Sequence, residues 1–319
     1  MIVLRDIVDE LIKYGLDLGA SFVDVRIEEM FESRIVVQDG TVEIFREASS
    51  RGVGIRVISE GAWGFSSVST LDKNLLMEAV KNAVSMAKGS SSLVRRKVSL
   101  AEVDIVEDKV KPVVGIDPIN VSSEEKLKYV LEVNKLLLDF DNRIKSAQSR
   151  YGDLRVKQIY ASSEGAYIEQ EKIYVLFSSD AMAAENDVRA SARESFGSTK
   201  GYEVVKNNNP EDFVRILGER LQKQLRAKKA KGGAFPAVIG PRVIGLFTHE
   251  AFGHLSEADL AFSGAVTMRK IGQKVASDVV TIFDDGTLPD AFGSFAYDDE
   301  GVKTQKTVVV KDGTLVSFL

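Results

Sequence analysis

From Ile144 to Ser195 apolar and polar residues alternate with little interruption, and this stretch constrains the fold more than any other. Leu154-Arg155-Val156-Lys157-Gln158-Ile159-Tyr160 and Ile173-Tyr174-Val175-Leu176-Phe177 show the pattern, and Ser-Ser-Glu-Gly at 162–165 is placed to turn between them. Side chains of a strand point to opposite faces in turn, so a period of two suits a sheet with one covered face and one wet face. Parallel strands buried on both faces would read as continuous apolar runs instead. The stretch predicts a meander of long antiparallel strands.

Similar segments alternate with helical ones elsewhere. Leu4 to Leu18 carries Leu4, Ile7, Val8, Leu11, Ile12 and Leu16 on one stripe, with Gly19 placed to end a helix. Phe22–Glu28 and Ser33–Gln38 alternate, and Asp39-Gly40 turns the chain into Thr41–Arg46, a strong hairpin signal. Gly52–Ile58 and Ala62–Val68 form a second hairpin across Glu60-Gly61. Leu71–Met86 is again helical, with Leu75, Leu76, Ala79, Val80, Ala83 and Val84 facing inward. Ser122-Ser123-Glu124-Glu125 is a capping box for a helix running to about Phe140, and Asn209-Pro210-Glu211-Asp212 opens another. Val98–Val106 reads as extended. Phe235–Ile239, Val279–Phe283 and Thr307–Val310 read as short strands, and Thr314–Leu319 as the start of a strand without a visible partner. Asp-Gly-Thr recurs at 39, 285 and 312, which is turn chemistry rather than a duplicated domain.

The expected class is α+β, with antiparallel sheets and flanking helices. The linker-like Gly89-Ser90-Ser91-Ser92 divides an N-terminal helix-and-hairpin domain, 1–90, from a domain rich in long strands, 91–319, incomplete at its C-terminus.

With no cysteine, disulfides and thiolate metal sites are excluded within the chain, and the formal charge of -5 argues against nucleic acid as partner. No apolar run is long enough to span a bilayer, and Met1–Asp6 lacks the basic and apolar regions of a leader, so the expected location is the cytoplasm. The basic run Arg226–Lys231 before Gly232-Gly233 suits cations at a helix C-terminus better than a nucleic-acid patch.

Only two histidines occur in 319 residues, and both lie in Thr248-His249-Glu250-Ala251-Phe252-Gly253-His254-Leu255-Ser256-Glu257-Ala258-Asp259. Neutral imidazole binds zinc well, and a carboxylate beside them can serve as general base to an activated water. Residues four apart share a helix face, but five apart they diverge by about 140° on a straight helix. Gly253 is therefore expected to end or bend the helix and swing His254 back towards His249. The acidic Asp284-Asp285 and Asp298-Asp299-Glu300-Gly301 do not match a calcium loop, so turn chemistry is preferred there, with lining of a substrate channel as the alternative.

The stretch from His249 to Asp259 resembles the metal motif of the TldD/PmbA family. Asp284-Asp285-Gly286-Thr287-Leu288-Pro289-Asp290-Ala291-Phe292-Gly293-Ser294-Phe295-Ala296-Tyr297-Asp298-Asp299-Glu300-Gly301 resembles its second landmark, and Val37-Gln38-Asp39-Gly40 also fits. The resemblance covers essentially the whole chain. It implies a cytosolic zinc metallopeptidase acting on unfolded peptides, as a homo-oligomer or paired with a homologous subunit that lacks the metal motif. On the matching positions His249 and His254 would hold zinc and Glu250 would be the base. Glu257 and Asp259 would orient a histidine ring N–H, or be acids on a solvated turn. The family's older label, modulator of DNA gyrase, finds no supporting residue here. Active members complete the zinc site with a cysteine in a C-terminal segment, which this chain lacks. The expectation is a fragment whose reading frame continues past Leu319 to such a cysteine. Otherwise Glu257 or Asp259 substitutes, or the chain is a non-catalytic partner or peptide-binding scaffold.

Overall fold

The computed structural model describes residues 4–319; Met1–Val3, the start of the stretch searched for a leader, lie outside the described residues. The fold is α+β, and the chain forms two compact units. The first runs to Ala227 and includes Asp290–Phe292 and Ala296–Lys303; the second comprises Lys228–Pro289, Gly293–Phe295 and Thr304–Leu319.

In the first unit, α1 (Leu4–Asp17) leads into β1 (Phe22–Gln38), β2 (Thr41–Ser59) and β3 (Ala62–Val68), then α2 (Lys73–Ser90) and β4 (Glu107–Val110). After α3 (Ser123–Phe140) come β5 (Ile144–Ser162), β6 (Tyr167–Glu185), β7 (Val188–Ser198), the short α4 (Glu203–Lys206) and α5 (Pro210–Leu225). One seven-stranded sheet has the order β3-β2-β1-β5-β6-β4, with β7 pairing β6 beyond the reach of β4. All pairings are antiparallel except β4 with β6.

One parity runs through the helix-covered core of the sheet. Val23, Val25, Ile27, Ile35 and Val37 of β1 are buried, as are Ala147, Tyr151 and Ala161 of β5 and Ile173, Val175, Phe177, Ala181 and Ala183 of β6. Odd residues on neighbouring strands therefore point to one face, as the period-two pattern requires. Helices α1 and α2 cover one end of that face through Val8, Leu11, Leu76, Val80 and Ala83. At the other end α3 and α5 cover it through Val130, Leu137, Phe213, Leu217 and Leu221. Gly64 on β3 permits the approach of α2, since a Cβ there would lie 1.9 Å from the Ala83 carbonyl oxygen.

The helix caps follow the sequence signals. Ser122 accepts from the Glu125 N–H, and Asn209 accepts from Glu211 and Asp212 with Pro210 in the first turn. The recurrent Asp-Gly-Thr takes two forms. Asp39-Gly40 and Asp312-Gly313 have positive φ at both residues, the tight hairpin turn, whereas Asp285 accepts from the Thr287 N–H and hydroxyl.

Several expectations are corrected. Separate segments in the N-terminal third merge, because β1 stays hydrogen-bonded to β2 and β5 through Glu29–Glu32, where the alternation lapses. Residue 90 lies within the first compact unit, in which β1 joins β2 to β5. Val98–Val106, read as extended, joins no ladder among the described residues, and β4 begins at Glu107. The basic run lies past α5, which ends at Leu225, so most of those cations do not cap it.

The second unit has much less regular structure: α6 (Pro241–Thr248), α7 (Ala258–Phe262), β8 (Ile282–Asp285), β9 (Lys306–Lys311) and β10 (Thr314–Leu315). Its sheet has the order β10-β9-β8, and Val309, Val310 and Leu315 are buried beside Phe252, Val275, Ile282 and Phe318. Phe235–Ile239 is irregular and exposed, not a strand, because no neighbour among the described residues completes a ladder. The terminal strand does have partners: Thr314 and Leu315 pair with β9, and Val316 donates to Val309.

Candidate metal centre

Pro241 opens α6 with its fixed φ, after which Val243, Ile244, Leu246 and Phe247 lead to Thr248 without one buried residue. Beyond Thr248 the helix does not break. It widens into a π turn, His249–Gly253, in which the His254 N–H donates to the His249 carbonyl. A bond from residue i+5 to residue i places those residues one above the other. The imidazole centroids are 4.5 Å apart with an interplanar angle of 67°. Gly253 keeps right-handed helical dihedrals, φ −52° and ψ −59°. The expected break at Gly253 is thus replaced by one wide turn, and the helical path continues through a 3₁₀ turn, His254–Ser256. Single π turns of this kind are frequent at functional sites.

His249, Glu250 and His254 each present a ligand atom within 4.8 Å of the others, and all three are exposed. Among the described residues no other group of three or more histidines and carboxylates has this geometry. His254 Nδ1 lies 2.7 Å from Glu257 Oε1. Assigning the ring proton to Nδ1 satisfies that carboxylate and leaves the Nε2 lone pair for a cation. Asp259 accepts from the Leu260 N–H in the first turn of α7 and stands outside the group. The two acids that looked equivalent in sequence therefore have different tasks.

The backbone under the motif is fastened by residues that sequence reasoning passed over. Ser256 is fully buried; its hydroxyl donates to the Phe252 carbonyl at 2.8 Å, and its carbonyl accepts from the Leu319 N–H at 2.7 Å. The Leu319 carbonyl in turn accepts from Ala258. Thr267 donates to the Leu255 carbonyl, and Phe252 packs on the small core. The signal available was a serine within the motif, but its carbonyl's partner, Leu319, is far away in sequence. Beside this turn is a cavity of about 950 Å³ lined mainly by apolar groups, among them Phe247, Phe252, Val280 and Phe283, with His249 and Glu257 on its wall.

The acidic landmark is engaged otherwise. Asp298 accepts from the Glu300 and Val302 N–H groups, Asp299 pairs with Arg26 at 2.9 Å, and Glu300 pairs with Arg56 at 2.7 Å. The hydroxyl and N–H of Thr287 hold the Asp285 carboxyl below its usual value. These contacts accord with turn and ion-pair chemistry rather than a calcium site.

The whole chain has the fold of solved proteins that carry this motif's family names. It superposes on TldE from Thermococcus kodakarensis with a TM-score of 0.78, at 19% identity over 98% of this chain and 69% of that one. A candidate modulator of DNA gyrase from Bacteroides thetaiotaomicron gives 0.82, at 20% identity over 98% and 71%. Three domain profiles match in order: PmbA/TldA metallopeptidase domain 1 at 23–87, the central domain at 116–228 and the C-terminal domain at 232–319. A metalloprotease of Methanocaldococcus jannaschii is 33% identical over 314 residues, 97% of this chain and 68% of that protein. A zinc metalloprotease TldD homologue of Saccharolobus solfataricus is 28% identical over 313 residues, 97% and 66%. The chain belongs to the PmbA/TldD metallopeptidase family. It spans 64 to 68% of the length of the first curated relatives it matches.

Proposed function

We propose that this chain carries the zinc site of a peptidase that cleaves unfolded peptides, with His249 and His254 as ligands and Glu250 as general base. The observation behind this reading is the convergence of three donor atoms within 4.8 Å on one π turn. Two imidazoles suit zinc as ligands while the carboxylate beside them stays free to act as base, and the relatives' names point the same way. A bound zinc ion would supply Lewis acidity to the attacking water and the scissile carbonyl. Glu250 accepts the water's proton and delivers it to the leaving amine, for which its exposure leaves room. Glu257 holds the His254 ring in one tautomer through the Nδ1–H bond and so keeps Nε2 free. Both substrate and partner are part of the proposal: an extended, unfolded peptide, cut in the cytoplasm by an oligomer of this chain or of this chain with a homologue. Among the described residues no helix is long and apolar enough to cross a membrane.

One observation favours a second reading, a non-catalytic partner subunit or peptide-binding scaffold. The group supplies two imidazoles and one carboxylate, Glu257 is already bonded to His254, and the chain has no cysteine. A catalytic zinc takes three protein ligands and keeps a fourth position open. Zinc content and cleavage of an unfolded peptide, measured together, separate the readings. His254→Ala should lose the metal, and equal zinc in wild type and variant would sink the ligand assignment. Glu250→Gln should keep the metal and lose cleavage; a variant that still cuts refutes the base role.

A further inference from the structure

The sheet face of the first unit that turns away from the helices carries a row of guanidinium groups around one groove. Ile35, Tyr151 and Phe177 stand in register across β1, β5 and β6 with their side chains in the core. One residue along, Arg34, Gly152, Leu176 and Gly197 stand in register on the opposite face. The two glycines leave the floor low on either side of Leu176. Arg34, Arg150 and Arg193 line the resulting groove of about 480 Å³, together with Tyr174 and Phe292, whose rings meet edge-on at 5.4 Å.

Its charge is not balanced locally. The acids in the lining, Glu32 and Asp153, are held by Arg46 and by Lys126, neither of which lines the groove. Asp180, also outside the lining, serves both Arg150 and Arg193. Arg34 has no ion-pair or hydrogen-bond partner among the described residues. A cationic surplus thus sits over an apolar floor in a chain of net charge -5.

We propose that this groove binds the C-terminal residue of a peptide, its carboxylate on Arg34 and its apolar side chain against Leu176, Tyr174 and Phe292. A guanidinium fork matches a carboxylate, and a cavity of this size suits one small amphipathic group. A fatty acid offers the same chemistry; the choice of a peptide rests on the peptidase reading above.

The test is calorimetric titration of the Glu250→Gln chain, so that cleavage plays no part. The probes are acetyl-Gly-Gly-Leu with a free carboxylate, the same peptide as its C-terminal amide, and octanoate. The free acid should bind about tenfold more tightly than the amide, the size of one charge-assisted contact. Arg34→Ala should abolish that preference, and Arg34→Lys should restore part of it while reporting an intact fold. Equal binding of acid and amide overturns the proposal, as does an Arg34→Ala chain with unchanged preference. Octanoate binding more tightly than the peptide acid overturns the peptide assignment. Failure of the peptidase reading shows separately, as wild-type chain that holds zinc but does not cut.

Discussion

In the first unit, four helices press apolar stripes onto one face of a seven-stranded sheet, and Leu76, Val80, Leu137, Tyr151 and Phe177 are essentially inaccessible. In the second, α6 buries nothing, Phe247 is 61% exposed, and three buried residues on β9 and β10 anchor a three-stranded sheet. The unit that carries the candidate metal group is the one with the smaller core. Its motif is fixed instead by hydrogen bonds, from Ser256 to Phe252 and from Leu319 and Thr267 to the turn, which set backbone geometry without enclosing the donors. A metal site needs open approach, whereas a packing platform needs closure. Dividing these tasks between two units lets each be met without compromise.

The largest expected effect probes the first unit. Phe177 is fully buried among Tyr129, Phe196 and Phe213, with ring centroids 5.1 to 5.4 Å away. Phe177→Ala should cost about 3–5 kcal/mol, read as a lower urea midpoint, because the cavity cannot collapse between a sheet and two helices. A loss under about 1 kcal/mol would mean the core is looser than its packing indicates. Ser122→Ala removes one cap at the start of α3 and should cost about 1 kcal/mol in the same assay.

A smaller effect depends on pH. The guanidinium of Arg143, aided by its N–H and by Gln222, holds the Asp141 carboxyl well below its usual value. A depressed folded value means the group's contribution is complete above the unfolded value near ~3.9 and disappears as pH falls through the folded one. Wild type and Asp141→Asn should therefore differ most in melting temperature near neutrality and converge in strong acid. A gap that stays constant down the acid limb would exclude the ion pair as its cause.

The same contrast governs what could be read without coordinates. Caps and tight turns were legible because they are local: Ser122, Asn209, Asp39-Gly40 and Asp312-Gly313 each act within a few residues. Long strands were legible from their parity, but the continuity of β1 through Glu29–Glu32 was not, because two neighbouring ladders and not its own pattern maintain it. At the site, residue types and their convergence followed from the motif. The means did not, since a straight-helix argument gives no reason for a π turn, and Gly253 invited a break that the backbone does not make. The contact between Ser256 and Leu319 was out of reach for the same reason as the β1 register: its partners are distant in sequence.

The smallest expected effect is also the sharpest test of the comparison. Phe247, on α6, stands two residues before His249 in sequence yet is largely open to water, beside Leu246 at the same exposure. Removing an exposed aromatic forfeits little transfer free energy, so Phe247→Ser should cost no more than about 0.5 kcal/mol of stability, read from the urea midpoint. The opposite result has a definite meaning. A loss of 2 kcal/mol or more, about that of a buried aromatic, would show that this face is covered in solution. Zinc content of the same variant then distinguishes two kinds of cover. If zinc binding falls with stability, the cover supports the turn at His249–Gly253; if it holds, the cover lies on α6 alone and leaves the donors open.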